Sequence, residues 1–177
     1  MVTQALAGGV DAVLVREKQM DSARLLAFAS RLRDLTNSSG AKLIIHTQAD
    51  IARAIGADGV HLSSMDMNQV TDIRNWLDSD KMTISTSCHN EIELGFAQRF
   101  GADFAFLSPV FTTQSHPSEP NLGIEKFKAI AESSPLPVIA LGGINTGNRK
   151  QLKGFGVAVI GSILDATDPK ATAAGLI

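Results

Sequence analysis

The stretch Gly56-Ala57-Asp58-Gly59-Val60-His61-Leu62 decides the fold. Its first glycine suits the left-handed position that ends a helix. The short apolar run that follows reads as a strand buried on both faces of a parallel sheet. The same unit occurs twice more: Gly9-Val10-Asp11 leads into Ala12-Val13-Leu14-Val15, and Gly101-Ala102-Asp103 into Phe104-Ala105-Phe106-Leu107. Four further runs fill the gaps, from Lys42 to His46, Met82 to Thr86, Pro137 to Leu141 and Val157 to Gly161. Helical patterns alternate with them. Leu25, Phe28, Leu32 and Leu35 form an apolar stripe behind Asp21, a side chain suited to an N-cap. Asn90 suits the cap of a helix carrying Ile92, Leu94 and Phe96, and Asn145 that of a helix running to Lys153.

Strands and helices in strict alternation imply a parallel sheet. Seven strands with a helix before the first predict an α/β fold, a TIM (β/α)8 barrel lacking its first strand, as one domain over residues 1–177. Such barrels typically take about 250 residues, with about 200 as the lower limit. The chain of 177 residues therefore reads as short by one strand, either as a fragment or as a barrel completed by an upstream domain or a partner chain. An open doubly wound sheet is the competing architecture. It ranks second because no Gly-x-Gly-x-x-Gly turn follows a strand.

Composition narrows the function classes. The chain is 44% hydrophobic and 19% charged, the balance of a globular domain with a real core. A net charge of −2 gives no basic surface for nucleic acid. No apolar run approaches the roughly 18 residues of a membrane span, and the N-terminus has no signal-peptide layout. The single cysteine, Cys88, excludes an internal disulfide. A cytoplasmic protein is expected.

In barrels the ligand site lies at the C-terminal strand ends. That rule selects Arg16, Glu17 and Lys18 after the first run, His46-Thr47 after the second, Ser63, Ser64 and Asp66 after the third, and Ser87-Cys88-His89 after the fourth. A long loop with Thr112, Thr113, Ser115 and His116 follows the fifth, Gly142-Gly143 the sixth, and Gly161-Ser162 the last. Glycines there let backbone N–H groups approach a phosphate closely. Taken alone, Gly142-Gly143 is equally a tight turn; with Gly161-Ser162 one strand later it predicts a phosphate site. Arg16 and Lys18 suit an anionic ligand such as a diphosphate, or else form a solvated turn. Asp66 suits Mg²⁺, which takes one or two carboxylates plus phosphate oxygens, or else an N-cap. His46, His61, His89 and His116 all fall near strand ends, which makes a transition-metal site conceivable. A structural role in strand-end turns suffices for His61 and His89. Cys88 and His89, as neighbours on an extended chain, point apart, so Cys88 reads as a packed thiol rather than a nucleophile.

Several segments together resemble the thiamine phosphate synthase/TenI family: Val15-Arg16-Glu17-Lys18, Gly56 to Leu62, Ser87-Cys88-His89-Asn90, Ser108-Pro109-Val110-Phe111-Thr112-Thr113, Leu122-Gly123 and Ala140-Leu141-Gly142-Gly143-Ile144. Ser87 through Pro117 is especially similar to synthase-like domains that follow Nudix hydrolase domains in some bacteria. The resemblance implies a transferase that joins a hydroxymethylpyrimidine diphosphate to a thiazole phosphate and releases pyrophosphate. It further implies that Arg16, Lys18 and Ser87 hold the diphosphate and that Asp66 holds Mg²⁺. Thr113, Ser115, Gly142, Gly143 and Ser162 would line the thiazole phosphate site. An upstream Nudix domain or a homo-oligomer is the implied partner, beside a small-molecule phosphate ester.

The family pattern is not kept throughout. Leu14 stands where the family has Gln, and His46-Thr47 where it has Asn-Asp with the Asp a metal ligand. Ser63-Ser64-Met65 replaces Gly-Gln-Glu, and His116 replaces a loop Lys. The thiazole phosphate side is intact and the diphosphate side altered. Three functions are therefore expected in order: a divergent synthase, a non-catalytic phosphate-ester module, and a thiazole tautomerase. The last needs a strand-end acid/base, and Pro109 stands where that branch carries His.

Overall fold

A computed structural model describes residues 1–77, 81–113 and 120–177. Seven strands form one sheet in chain order, each parallel to the next. They are β1 (Ala12–Val15), β2 (Lys42–His46), β3 (Gly59–Leu62), β4 (Thr83–Cys88), β5 (Phe104–Leu107), β6 (Val138–Leu141) and β7 (Gly156–Ala158). The helices are α1 (Val2–Ala7), α2 (Ser22–Ser39), α3 (Ala49–Ala54), α4 (Val70–Leu77), α5 (Glu91–Phe100), α6 (Ile124–Ser133), α7 (Gly161–Leu164) and α8 (Pro169–Ala174). The sheet curls into most of a barrel, and among the described residues β1 and β7 are not paired with each other. The helical layer does close across this gap, because α1 packs on α8. A Cβ on Gly8 would lie only 2.4 Å from the Lys170 carbonyl oxygen.

The strand side chains alternate between two environments. Leu43, Ile45, Val60, Leu62 and Ile84 face outward and pack against Leu25, Ala29, Leu32, Ile51 and Val70 of the helices. All five strand residues are buried to within 1%, each contributing about 1.5–3 kcal/mol of apolar transfer free energy. A second cluster covers the later strands, with Leu107, Phe127, Ala140 and Leu152 at its centre. The opposite face lines the barrel interior and carries His61, Ser85, Ser87 and Phe106.

The Gly-x-Asp units have a physical basis at the strands' N-terminal ends. Gly9, Gly56 and Gly101 all adopt positive φ. In the second and third units the aspartate clasps the strand before it. Asp58 Oδ2 accepts from the Leu43 N–H at 2.8 Å and from Arg33, and Oδ1 accepts from Lys42 at 3.2 Å. Asp103 Oδ2 accepts from the Ile84 N–H and from Arg74, each at 2.6 Å. Burial would raise the Asp58 pKa, but the Leu43 amide and the two cations outweigh it and hold the carboxyl below its ordinary value.

Four expectations need correction. Phe28, Ile92 and Phe96 are exposed; the inward positions of α2 are Leu25, Ala29, Leu32 and Thr36, and Leu94 is the buried member of α5. Strand β4 starts one residue later than expected and continues to Cys88. Strand β7 stops at Ala158, and Gly161 opens α7. Asn145 does not cap an α-helix. Its Oδ1 accepts from the Gly147 and Asn148 N–H groups in a local turn, and only a 3-10 helix, Arg149–Leu152, follows. Asp21 and Asn90 do cap α2 and α5, accepting from the N–H groups of Arg24 and Glu93 at 2.9 Å.

Candidate active site

The interior residues nearest the C-terminal mouth are polar and mutually satisfied. His61 lies within β3, not in a turn as expected, and is 4% exposed. Its Nδ1 faces Ser85 Oγ and its Nε2 faces Ser87 Oγ, both at 2.9 Å. The Phe106 ring meets it edge-on with centroids 4.9 Å apart. Burial, then the neighbouring His46 and Arg16, push its pKa down to about 3, so it is neutral at pH 7. His46, one strand over, sits with its ring centroid 5.8 Å from that of His61. Its Nδ1 donates to the His61 carbonyl oxygen at 3.1 Å. Burial first, and then Arg16, lower its pKa as well.

Arg16 and Lys18 follow the end of β1 at Val15 and are exposed. The strand stops before them, so strand alternation does not orient them; both nonetheless bear electrostatically on His46. Neither forms an ion pair among the described residues. Asp66 acts on the same imidazole, so these four groups share one side of the mouth. Asp66 itself lies in the first turn of a 3-10 helix, Ser64–Gln69, whose N-cap is Ser63. Its Oδ2 accepts from Ser63 Oγ at 2.5 Å, and its Oδ1 faces Gln69 Nε2 at 3.4 Å.

These residues do not fit a protein-held Mg²⁺. Asp66 is turned onto its own helix. Thr47, where the family carries a second carboxylate, donates its hydroxyl to the His46 carbonyl oxygen at 2.8 Å. Among the described residues no group of three or more His, Cys, Asp or Glu side chains is placed to hold a metal ion. Thr47 also has φ +59°, the only positive φ outside glycine among the described residues, and a costly conformation for a β-branched residue. Its N–H donates to the His61 carbonyl oxygen at 2.9 Å, which keeps it there.

The other side of the mouth is tightly built. Gly142 and Gly143 have φ values of +99° and +66°. A Cβ on Gly142 would meet Pro109 Cα at 2.7 Å, and one on Gly143 would meet the Thr112 carbonyl oxygen at 2.4 Å. The Val110 and Phe111 N–H groups donate to the Leu141 and Gly142 carbonyl oxygens. These contacts alone require both glycines. Ser162 Oγ donates to the Ile144 carbonyl oxygen at 2.5 Å, binding the last two loops together. That leaves the loop backbone, rather than the Ser162 hydroxyl, to donate to an anion. Thr113 is half-buried in the loop after β5. Ser115 and His116 lie outside the described residues.

Beside this mouth lies a cavity of about 320 Å³, lined by His89, Ser108, Pro109, Asn121 and Lys126 among others. His89 Nδ1 and its backbone N–H both meet Glu93 Oε2 at 2.9 Å. Cys88 points away into the core, fully buried, and burial raises its pKa to about 11; it is a packed thiol, as expected. Ser85 and Glu93 were not among the sequence candidates. The alternation Thr83, Ser85, Ser87 with Ile84, Thr86, Cys88 carries the signal for Ser85. The Glu93 signal is its i,i+4 spacing from His89.

Fold and site define a parallel (β/α) barrel with a polar, cation-flanked mouth and a glycine-built loop pair at its C-terminal end. Residues 1–164 match the family model for thiamine monophosphate synthase, and the chain belongs to that family. Thiamine-phosphate synthase of Vibrio campbellii is 35% identical over 181 residues, covering 100% of this chain and 88% of that protein. The enzyme of the same name from Chloroflexus aurantiacus is 33% identical, covering 98% of this chain and 81% of its own. The solved structure of thiamine phosphate pyrophosphorylase from Pyrococcus furiosus superposes with a TM-score of 0.88 at 30% identity, covering 99% of this chain and 85% of that one. The expected barrel and the family resemblance are both borne out.

Proposed function

We propose that this chain is a thiamine-phosphate-synthase-type transferase. It joins a hydroxymethylpyrimidine diphosphate to a thiazole phosphate and releases pyrophosphate. The observation that carries the reading is the convergence at one barrel mouth of Arg16, Lys18 and the His61–Ser87 pair with the loop pair at Gly142–Gly143 and Ser162. In the reaction the bond from the pyrimidine methylene carbon to the diphosphate oxygen breaks, and the leaving group takes the electron pair. The thiazole nitrogen then forms the new C–N bond. Nothing is oxidised and no proton is transferred.

The chain's own residues act on charge and orientation. Arg16 and Lys18 neutralise the departing diphosphate. Ser87 Oγ–H donates to one of its oxygens. For that, His61 must donate from Nε2–H to Ser87 and accept at Nδ1 from Ser85, which fixes the imidazole tautomer. Thr113, Ser115 and the backbone of Gly142, Gly143 and Ser162 receive the thiazole phosphate. The same reading places the chain in the cytoplasm, with a homo-oligomer or an upstream Nudix-type domain as partner. No helix of the described residues is long and apolar enough to cross a membrane.

A second reading, a phosphate-ester-binding module without transfer, is favoured by Thr47 standing where the family has its carboxylate. Incubating the purified chain with both substrates and following thiamine phosphate and pyrophosphate together separates the two. Stoichiometric formation of both supports the transferase. Calorimetric binding of thiazole phosphate with no product at any enzyme concentration would leave the binding module.

A further inference from the structure

The altered side of the mouth has a chemistry of its own. A divalent ion bridging protein and diphosphate needs carboxylate oxygens free to point at it, usually one or two. Here both Asp66 oxygens face donors of the same 3-10 helix. The Thr47 hydroxyl is committed to a main-chain carbonyl, and its backbone is locked at positive φ by the bond to His61. Thr47 supplies no carboxylate, and a metal at Asp66 would have to share its oxygens with the Ser63 and Gln69 donors. The two cations a few residues from β1 are in the opposite condition. Arg16 and Lys18 are exposed, form no ion pair among the described residues, and act electrostatically on the same imidazole as Asp66. His46 offers them no counter-charge, because an imidazole is either neutral or positive.

We propose that this mouth binds a free diphosphate through Arg16 and Lys18 without a protein-held divalent cation. The inference rests on the transferase reading above and deepens it. The charge neutralisation that a metal would supply comes from an Arg fork and a Lys point charge, both suited to phosphate oxygens. Mg²⁺ then has no place in the protein and competes with the two side chains for the ligand.

The test is calorimetric titration of sodium pyrophosphate into the purified 177-residue chain, once in EDTA and once in excess MgCl2. The expected result is binding in EDTA, with a Kd in MgCl2 that is equal or weaker. Binding more than about threefold tighter with Mg²⁺, or seen only with Mg²⁺, overturns the proposal while leaving the transferase reading intact. Absence of binding in both buffers overturns the proposal and the diphosphate half of that reading together. A parallel titration with thiazole phosphate then reports on the other half alone. Arg16→Ala and Lys18→Ala should each weaken binding in EDTA by about tenfold or more with an unchanged unfolding midpoint, since both side chains are exposed; unchanged affinity in both variants overturns the proposal. Mn²⁺, followed by its solution EPR signal, should remain free when mixed with the chain alone, and stoichiometric loss of that signal overturns it as well.

Discussion

At the N-terminal ends of the strands, Asp58 and Asp103 are each clasped by a strand N–H and by one or two cations. At the C-terminal ends, Arg16 and Lys18 stand exposed, with no ion-pair partner among the described residues, near His46 and the neutral His61. Charge at the first end completes strand hydrogen bonding and belongs to stability. Charge at the second end has no ion-pair partner among the described residues, and under the transferase reading it serves the ligand. Barrels generally divide their labour this way, and here the division can be read group by group.

Mutations at the two ends should therefore move different observables. The largest effect is expected from Arg16→Ala. If the cation acts on the leaving group, kcat/KM for thiamine phosphate formation falls about 100-fold or more, near 3 kcal/mol, while Tm is unchanged. A comparable loss of Tm would erase the distinction. Next is Asp58→Ala, which strands the buried Leu43 N–H and the Arg33 guanidinium. Denaturant unfolding should show a loss of about 2 kcal/mol, with thiazole phosphate affinity retained by calorimetry.

The third prediction concerns pH. His61 has a folded pKa of about 3, depressed from its ordinary value. The unfolded chain thus takes up a proton that the folded chain refuses. The stability associated with the neutral ring is fully present above about pH 6.5 and is lost as pH falls toward 3, at about 1.4 kcal/mol per pH unit. His61→Gln should flatten that slope in urea titrations between pH 6 and pH 4. The smallest effect is Thr47→Asn. Asn tolerates positive φ better than a β-branched residue, so the variant should gain about 1 kcal/mol in the same assay. No gain would mean that the hydroxyl bond to the His46 carbonyl outweighs the strain.

The fold was legible where a strand is buried on both faces. β1, β2, β3 and β5 begin and end at the residues their apolar runs predict. β4 extends past its predicted end because the polar Ser87, which faces the interior, interrupts the apolar pattern before the buried Cys88. The turn chemistry of Asn145, Gly147 and Asn148 overrode the helical pattern after β6. Phe28, Ile92 and Phe96 are exposed aromatic or branched residues, and periodicity alone could not tell their face from the buried one. In the candidate site, Arg16, Lys18, Asp66 and Ser87 were selected by strand-end position. That rule could not show that Asp66 is turned onto Ser63 or that Ser87 is held by His61, since both depend on contacts across elements. The role of Asp58 and Asp103 was equally hidden, because their partners lie on other strands and helices.

Cys88 gives this chain a built-in reporter. It is the only cysteine in the sequence, it is fully buried, and its thiol stays protonated until about pH 11. An alkylating reagent at neutral pH can reach it only when β4 parts from its helices. Because the preceding residue along the strand is Ser87, the labelling rate of a single thiol becomes a clock for how often that side of the mouth comes apart, and ligands that seat there should slow it.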